Sequence, residues 1–147
     1  MKKLGTTIVC IMLMFSVKAQ TTSLNTLIKY VNTPLADITE EVISKNGWEL
    51  KESKKNDSLV LLIFRDTDNS LIIKRYKDLP NEVYFICDKP EYDLLNKALL
   101  ARKLTLFKSE VDTKGHIVKS YFEEKYIFEV TIAPNSLFSI TVLDRTH

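Results

Sequence analysis

The feature that most restricts the fold of this chain is a set of eight short segments in which apolar residues alternate with polar ones or form brief runs. They occur as two groups of four, at 48–51, 59–64, 71–76 and 83–87, and at 104–111, 117–122, 126–132 and 137–143. Such segments are typical of β-strands, and the polar connections within each group are only a few residues long. Connections this short predict antiparallel neighbours, because a parallel crossover needs a dozen residues or more.

Three further segments carry apolar residues at helical spacing. The first is 24–31, the second starts at Pro34 and ends before Gly47, and the third follows Asp88, with Glu91 three residues later as in a capping box. The chain is therefore predicted to be an α+β domain of order ααββββαββββ, with the helices packed on antiparallel sheet.

The two groups of strands also suggest an internal duplication. An offset of 56 residues aligns the second helix and the strand after it with the third helix and the strand that follows. The matched pairs include Pro34 with Pro90, Leu50 with Leu106, and Ser53 with Ser109. Two repeat units, 33–88 and 89–147, are one interpretation. The alternative is that any two amphipathic αβ segments would align this well.

The N-terminus has the pattern of a secretory signal peptide. Two lysines precede the apolar run 8–15, which is too short to span a bilayer, and Val17 and Ala19 satisfy the small-residue rule for cleavage. We expect cleavage before Gln20 and export to the periplasm or the cell exterior. The predicted organisation is a signal peptide at 1–19 and a single α+β domain at 20–147.

Charge and hydropathy exclude two classes of partner. The full chain carries 21 basic and 19 acidic side chains, a formal net charge of +2 at pH 7. Three of the lysines and none of the acids lie in the predicted leader, so the mature chain has a net charge of about −1. Nucleic-acid binding requires a basic excess, which the mature chain lacks. No second apolar segment is long enough for a membrane helix, so no membrane span is predicted.

Residues with reactive or metal-binding side chains are few. Cys87 is the only cysteine after the leader, which excludes an internal disulfide, and neighbouring Asp88 makes it a poor nucleophile. His116 follows a turn glycine and has no metal-ligand spacing around it. Gly47 and Gly115 are the only glycines after the leader, and two glycines are too few for a phosphate-binding loop. The sequence predicts no catalytic residues, no metal site and no cofactor.

Three stretches carry a resemblance to known proteins, namely 17–20 at the end of the leader, 45–50, and 92–110. They resemble small secreted proteins of Bacteroidota, a family that implies no activity. The repeated helix-plus-four-strand layout is also similar to β-lactamase-inhibitor-like repeats, in which a concave sheet grips a partner. The two cysteine pairs typical of that inhibitor are absent here, so the resemblance implies the layout alone.

The first group of strands is apolar on both faces, whereas an antiparallel sheet with one face in water usually has one apolar and one polar face. One face must therefore be covered by the helix at 24–31 or remain exposed as a patch for a partner. The predicted partner-binding residues are Phe64, Ile72, Tyr76, Tyr84 and Ile86. Aromatic side chains on such a surface supply large contact area at a small entropic penalty.

These observations favour a secreted, non-catalytic binding or inhibitory module that acts through a sheet surface on a protein of the cell envelope or exterior. Two alternatives stay open. One is a small cofactor-free hydrolase that uses Asp or Glu with His116, since hydrolases need few residues. The other is an accessory subunit of an envelope complex.

Overall fold

The computed structural model describes residues 22–45 and 47–146. The helices are α1 (Leu24–Val31), α2 (Leu35–Ile43) and α3 (Lys89–Leu100). The strands are β1 (Glu49–Lys55), β2 (Leu59–Arg65), β3 (Ser70–Tyr76), β4 (Asn81–Cys87), β5 (Thr105–Val111), β6 (Ile117–Glu123), β7 (Tyr126–Ile132) and β8 (Phe138–Asp144). The predicted α+β class and the order ααββββαββββ are confirmed. The predicted signal peptide and the cleavage site before Gln20 lie outside the described residues.

Side-chain caps begin two of the helices. Ser23 accepts a hydrogen bond from the backbone N–H of Thr26 at the start of α1. Asp88 accepts from the backbone N–H of Glu91 at the start of α3. The reciprocal half of the predicted capping box does not form, since the Glu91 carboxylate accepts from the backbone N–H of Thr22 and its Oε1 is buried without a hydrogen-bond partner.

All eight strands form one antiparallel sheet, in the order β1-β2-β3-β4-β8-β7-β6-β5. Each group of four is a meander, and the two meanders join where β4 pairs with β8. From each edge to the centre, the four strands of that half follow one another in chain order. The two halves are therefore related by an approximate twofold axis between β4 and β8. Both edge strands carry a β-bulge, between Leu50 and Glu52 and between Leu106 and Lys108, at positions that the 56-residue offset aligns.

The core lies between one face of the sheet and the helices. Phe64, Phe85, Phe128 and Ile140 project from that face and are fully buried, together with the apolar stripe of α1. Helix α1 lies across β4 and β8 at the centre of the sheet, α2 packs near β1, and α3 packs near β8. The three helices therefore cover a single face.

A buried amide fixes α1 to the sheet. Asn81, the first residue of β4, donates hydrogen bonds of 2.7 Å from Nδ2 to the backbone carbonyls of Tyr30 and Thr33. These carbonyls lie at and just beyond the C-terminal end of α1, where a helix leaves acceptors unsatisfied. In the described part of the chain, none of the helices has the length and apolar character needed to cross a membrane.

Candidate interaction surface on the uncovered sheet face

The face of the sheet opposite the helices is covered by no element of residues 22–45 and 47–146. We call it the open face. Its residues include Leu59, Leu61, Ile63, Arg65, Ser70, Ile72, Lys74, Tyr76, Glu82, Tyr84, Ile86, Lys108, Glu110, Val118, Ser120, Phe122, Ile127, Glu129, Thr131, Ser139, Thr141 and Leu143. All of them are partly or fully accessible except Ser120 and Thr141, and none belongs to the buried core.

Four of the five residues predicted to bind a partner lie together on this face. Ile72 of β3 is directly opposite Tyr84 of β4, and Ile86 is two residues further along β4. Tyr76 is 40% exposed at the end of β3. Residues that are directly opposite in an antiparallel pair have Cβ atoms within about 5.5 Å, so these side chains form a continuous surface. Their role in binding stays a prediction.

Phe64 is not part of that surface. It is fully buried on the helix side, opposite Leu71, so its predicted place beside Ile72 and Tyr84 was wrong. The reason is the length of the β2–β3 turn. Ser70 belongs to β3 and pairs with Arg65, so the turn consists of four residues, 66–69. With an even number of turn residues, the odd-numbered residues of β2 share a face with the even-numbered residues of β3.

Ile63 of β2 holds the place beside Ile72 that was predicted for Phe64. Ile63 lies opposite Ile72, which in turn lies opposite Tyr84, so three adjacent strands contribute one row of large side chains. The sequence did contain a signal for this register. Asp66 Oδ1 accepts hydrogen bonds from the backbone N–H groups of Asp68 and Asn69, the Asx geometry that closes a short turn before Ser70.

The open face is also not covered by α1, the alternative considered for these strands. Helix α1 packs on β4 from the side of Val83 and Phe85, both fully buried. Because Tyr84 and Ile86 alternate with those two residues along the strand, they point away from the helix.

Polar groups flank the apolar row and hold its tyrosine in place. The Tyr84 hydroxyl donates a 2.6 Å hydrogen bond to Glu82 Oε2, and Lys74 Nζ lies 4.4 Å from the centre of the Tyr84 ring. Burial, with the carboxylate of Glu82 as the second cause, raises the pKa of Tyr84 well above its ordinary value. The phenol is therefore neutral at physiological pH and acts as an oriented contact group.

In the second half of the sheet, the open face is more polar. The row that contains Tyr84 continues through Thr141 of β8, Glu129 of β7 and Ser120 of β6. Further along, the ring of Phe122 lies 5.6 Å from that of Phe107, and the Arg145 guanidinium stacks 4.9 Å from the Phe122 ring. A tilted aromatic pair under an arginine is a stable surface cluster, with the arginine covering the ring.

A shallow cavity of about 230 Å³ opens at one end of the open face. Tyr76, Glu82, Leu143 and Arg145 are among the residues that line it. Two other cavities lie elsewhere, one of about 340 Å³ beside the α1–α2 junction and one of about 570 Å³ beside Arg102. Each holds residues already engaged in structural contacts. In the first, Asn81 binds the end of α1, and in the second Arg102 forms a bidentate pair with Glu123.

The residues considered for catalysis lie in structural roles. His116 Nδ1 is 2.8 Å from Asp112 Oδ2, and Asp112 Oδ1 accepts from the His116 backbone N–H, so the pair closes the β5–β6 turn. Cys87 is buried, and burial more than the nearby Glu91 and Asp88 raises the pKa of its thiol to about 12. That thiol is protonated at neutral pH. Within the described ranges, no three His, Cys, Asp or Glu side chains converge in a way that could hold a metal ion.

Comparison with known proteins gives no relative from which a role could be transferred. The chain matches no protein-family model, and no curated protein or solved structure is similar enough to show a relationship.

Proposed function

We propose that this protein is a non-catalytic binding or inhibitory module that holds a partner protein against the first half of its open face. The observation that carries the proposal is the row Ile63–Ile72–Tyr84, with Ile86 and Tyr76 beside it, on a sheet face that no described element covers. A contiguous apolar surface that is left partly exposed is typical of an interaction site in soluble domains.

The composition of the surface favours a protein partner over a small ligand. The apolar side chains spread over three adjacent strands, whereas the cavity at the edge of the face has only about 230 Å³. Charged residues border the apolar area, including Arg65 on β2 and Lys74 opposite Glu82. An apolar centre with tyrosines and a charged rim is the usual anatomy of a protein–protein interface.

The predicted leader extends the proposal to the place of action. The sequence at 1–19 favours export, so the partner would be a protein of the cell envelope or exterior. Mass spectrometry of the protein from its own cells should find Gln20 at the N-terminus, and an intact Met1 would contradict export.

The central experiment compares two matched variants as baits in envelope extracts. Ile72→Glu places a charge in the middle of the apolar row, and Thr131→Glu places the same charge on the second half of the same face. Both positions are half-buried, so both variants should keep the fold, which circular dichroism checks. We expect a stoichiometric partner that is retained by wild type and by Thr131→Glu and is lost with Ile72→Glu.

The result also separates the remaining alternatives. A partner that both variants keep would place binding elsewhere and contradict the proposal. A partner lost only with Ile72→Glu and recovered within a larger assembly would identify an accessory subunit. A hydrolytic activity that disappears in His116→Ala would instead support an enzyme.

A further inference from the structure

The two edges of the sheet are protected very differently. Five of the seven residues of edge strand β1 are charged, which is the usual defence against pairing with another strand. Edge strand β5 instead exposes Leu106 and Phe107 at 51% each and Val111 at 67%. Charge therefore disfavours the addition of another strand at β1, whereas the exposed apolar residues of β5 permit it.

The backbone groups that β5 leaves free follow from its hairpin. Asp112 donates its N–H to the carbonyl of His116, and hydrogen-bonded positions alternate along an antiparallel strand. Glu110 and Lys108 therefore bond to β6, while the N–H and C=O groups of Ser109 and Val111 point out from the edge. The ladder is regular from Lys108 to Val111, beyond the bulge at Phe107.

The side chains along this stretch are complementary to a second copy of themselves. If two β5 strands pair antiparallel with Ser109 opposite Ser109, Lys108 of each copy lies opposite Glu110 of the other. Both residues project from the open face, where in the single chain Lys108 Nζ contacts Glu110 Oε1 at 2.7 Å. Registers centred on Lys108 or Glu110 would set like charges against each other, which destabilises a strand pair.

We propose that β5 pairs with β5 of a second copy of this chain about Ser109, so that one continuous sheet runs through both molecules. The register exchanges two backbone hydrogen bonds at Ser109 and ends at the bulge, where Phe107 of one copy lies across the strand pair from Val111 of the other. The open faces of both copies lie on the same side of the joined sheet, because opposite residues of an antiparallel pair share a face. This dimer involves an edge that the proposed binding function does not use.

The first test uses proline, which removes the N–H at the centre of the proposed pairing. Sedimentation equilibrium of the purified protein should give a mass that rises with concentration toward twice that of one chain. Ser109→Pro should weaken this self-association about tenfold or more, since it removes two symmetric hydrogen bonds. The matched control is Ser53→Pro in β1. Its N–H also points outward, because Asn56 donates to Leu59 in that hairpin.

The second test uses charge. Lys108→Glu should weaken the dimer by placing glutamates opposite each other, and Lys108→Glu combined with Glu110→Lys should restore it. Thermal unfolding checks that each variant is folded. A protein that stays monomeric at all concentrations, an equal loss with Ser53→Pro, or no recovery in the charge-exchanged variant would overturn the proposal.

Discussion

The two halves of the sheet share one layout and differ on one face. On the helix side both halves contribute fully buried aromatic rings to the core, Phe64 in the first half and Phe128 in the second. On the open face, the first half presents the row Ile63–Ile72–Tyr84, whereas the second half continues it with Thr141 and Glu129.

That contrast separates residues required by the fold from residues available for function. The helix side must be apolar in both halves, because the only buried core of the described chain lies there. The open face is under no such requirement, since in its second half Glu129, Thr131 and Ser139 lie beside the apolar row Phe122–Ile127–Leu143. The row Ile63–Ile72–Tyr84 is therefore not required by the core, and the proposed interaction would account for it.

The largest expected effect tests whether a buried ring on the helix side stabilises the fold equally in the two halves. Phe64→Ala and Phe128→Ala should each lower the free energy of unfolding by about 3–5 kcal/mol, because each removes a fully buried ring. Urea denaturation measures both. A loss below about 1 kcal/mol at Phe64 would contradict its position in the core and return it to the candidate surface.

The next effect concerns a contact described only for the first half, the amide that joins β4 to the end of α1. Asn81→Ala should lower the free energy of unfolding by about 1–3 kcal/mol, since the carbonyls of Tyr30 and Thr33 lose buried donors. The measurement is again urea denaturation, with exposed Asn56→Ala in the β1–β2 turn as the control. Equal losses for the two variants would mean that α1 is not fixed by Asn81.

Partner affinity should distinguish the halves of the open face directly. The double variant Tyr76→Ala, Tyr84→Ala should bind the recovered partner about tenfold more weakly or worse, a loss of about 1.4 kcal/mol or more, because it removes two aromatic contact groups. Ser139→Ala, at the border of the second half, should leave affinity unchanged. Titration calorimetry measures both, and full affinity in a folded double variant would remove the first half from the binding surface.

The smallest effect is a pH dependence at the junction of the halves. Burial, with the nearby Asp88 and Asp66, raises the pKa of Glu91 in the folded protein, whereas the 56-residue offset matches it with Leu35 in the first half. A carboxyl whose folded pKa is raised is protonated in both states at low pH. As pH rises through the ordinary glutamate range toward the raised folded value, its ionisation favours the unfolded state and stability falls.

Replacing Glu91 by Gln should therefore stabilise the protein at pH 7 and have no effect at pH values below the ordinary glutamate pKa. Thermal unfolding of the variant and wild type at both pH values measures the difference. Stabilisation that is the same at low and neutral pH would show that Glu91 does not titrate with a raised pKa.

The candidate surface was predictable in part. Within β3 and β4, the face of each residue could be predicted from the alternation of side chains along a strand. The turn between the two strands keeps the predicted residues on the same face, since Ile72 lies opposite Tyr84. For β2 the outcome depended on whether Ser70 belongs to the turn or to the strand. One residue of turn length inverts every side chain of a strand, so Phe64 and Ile63 exchanged faces.

The sequence by itself determined the helices, the strands and their order, because periodicity, capping residues and short polar turns act between residues close in the chain. It also determined that the first half of the sheet is apolar on both faces. Only the tertiary structure decided that β4 pairs with β8 to make one sheet, that all three helices cover the same face, and which face of β2–β4 stays open. Those outcomes depend on contacts such as the one between Asn81 and Tyr30, whose partners are far apart in sequence and leave no local pattern.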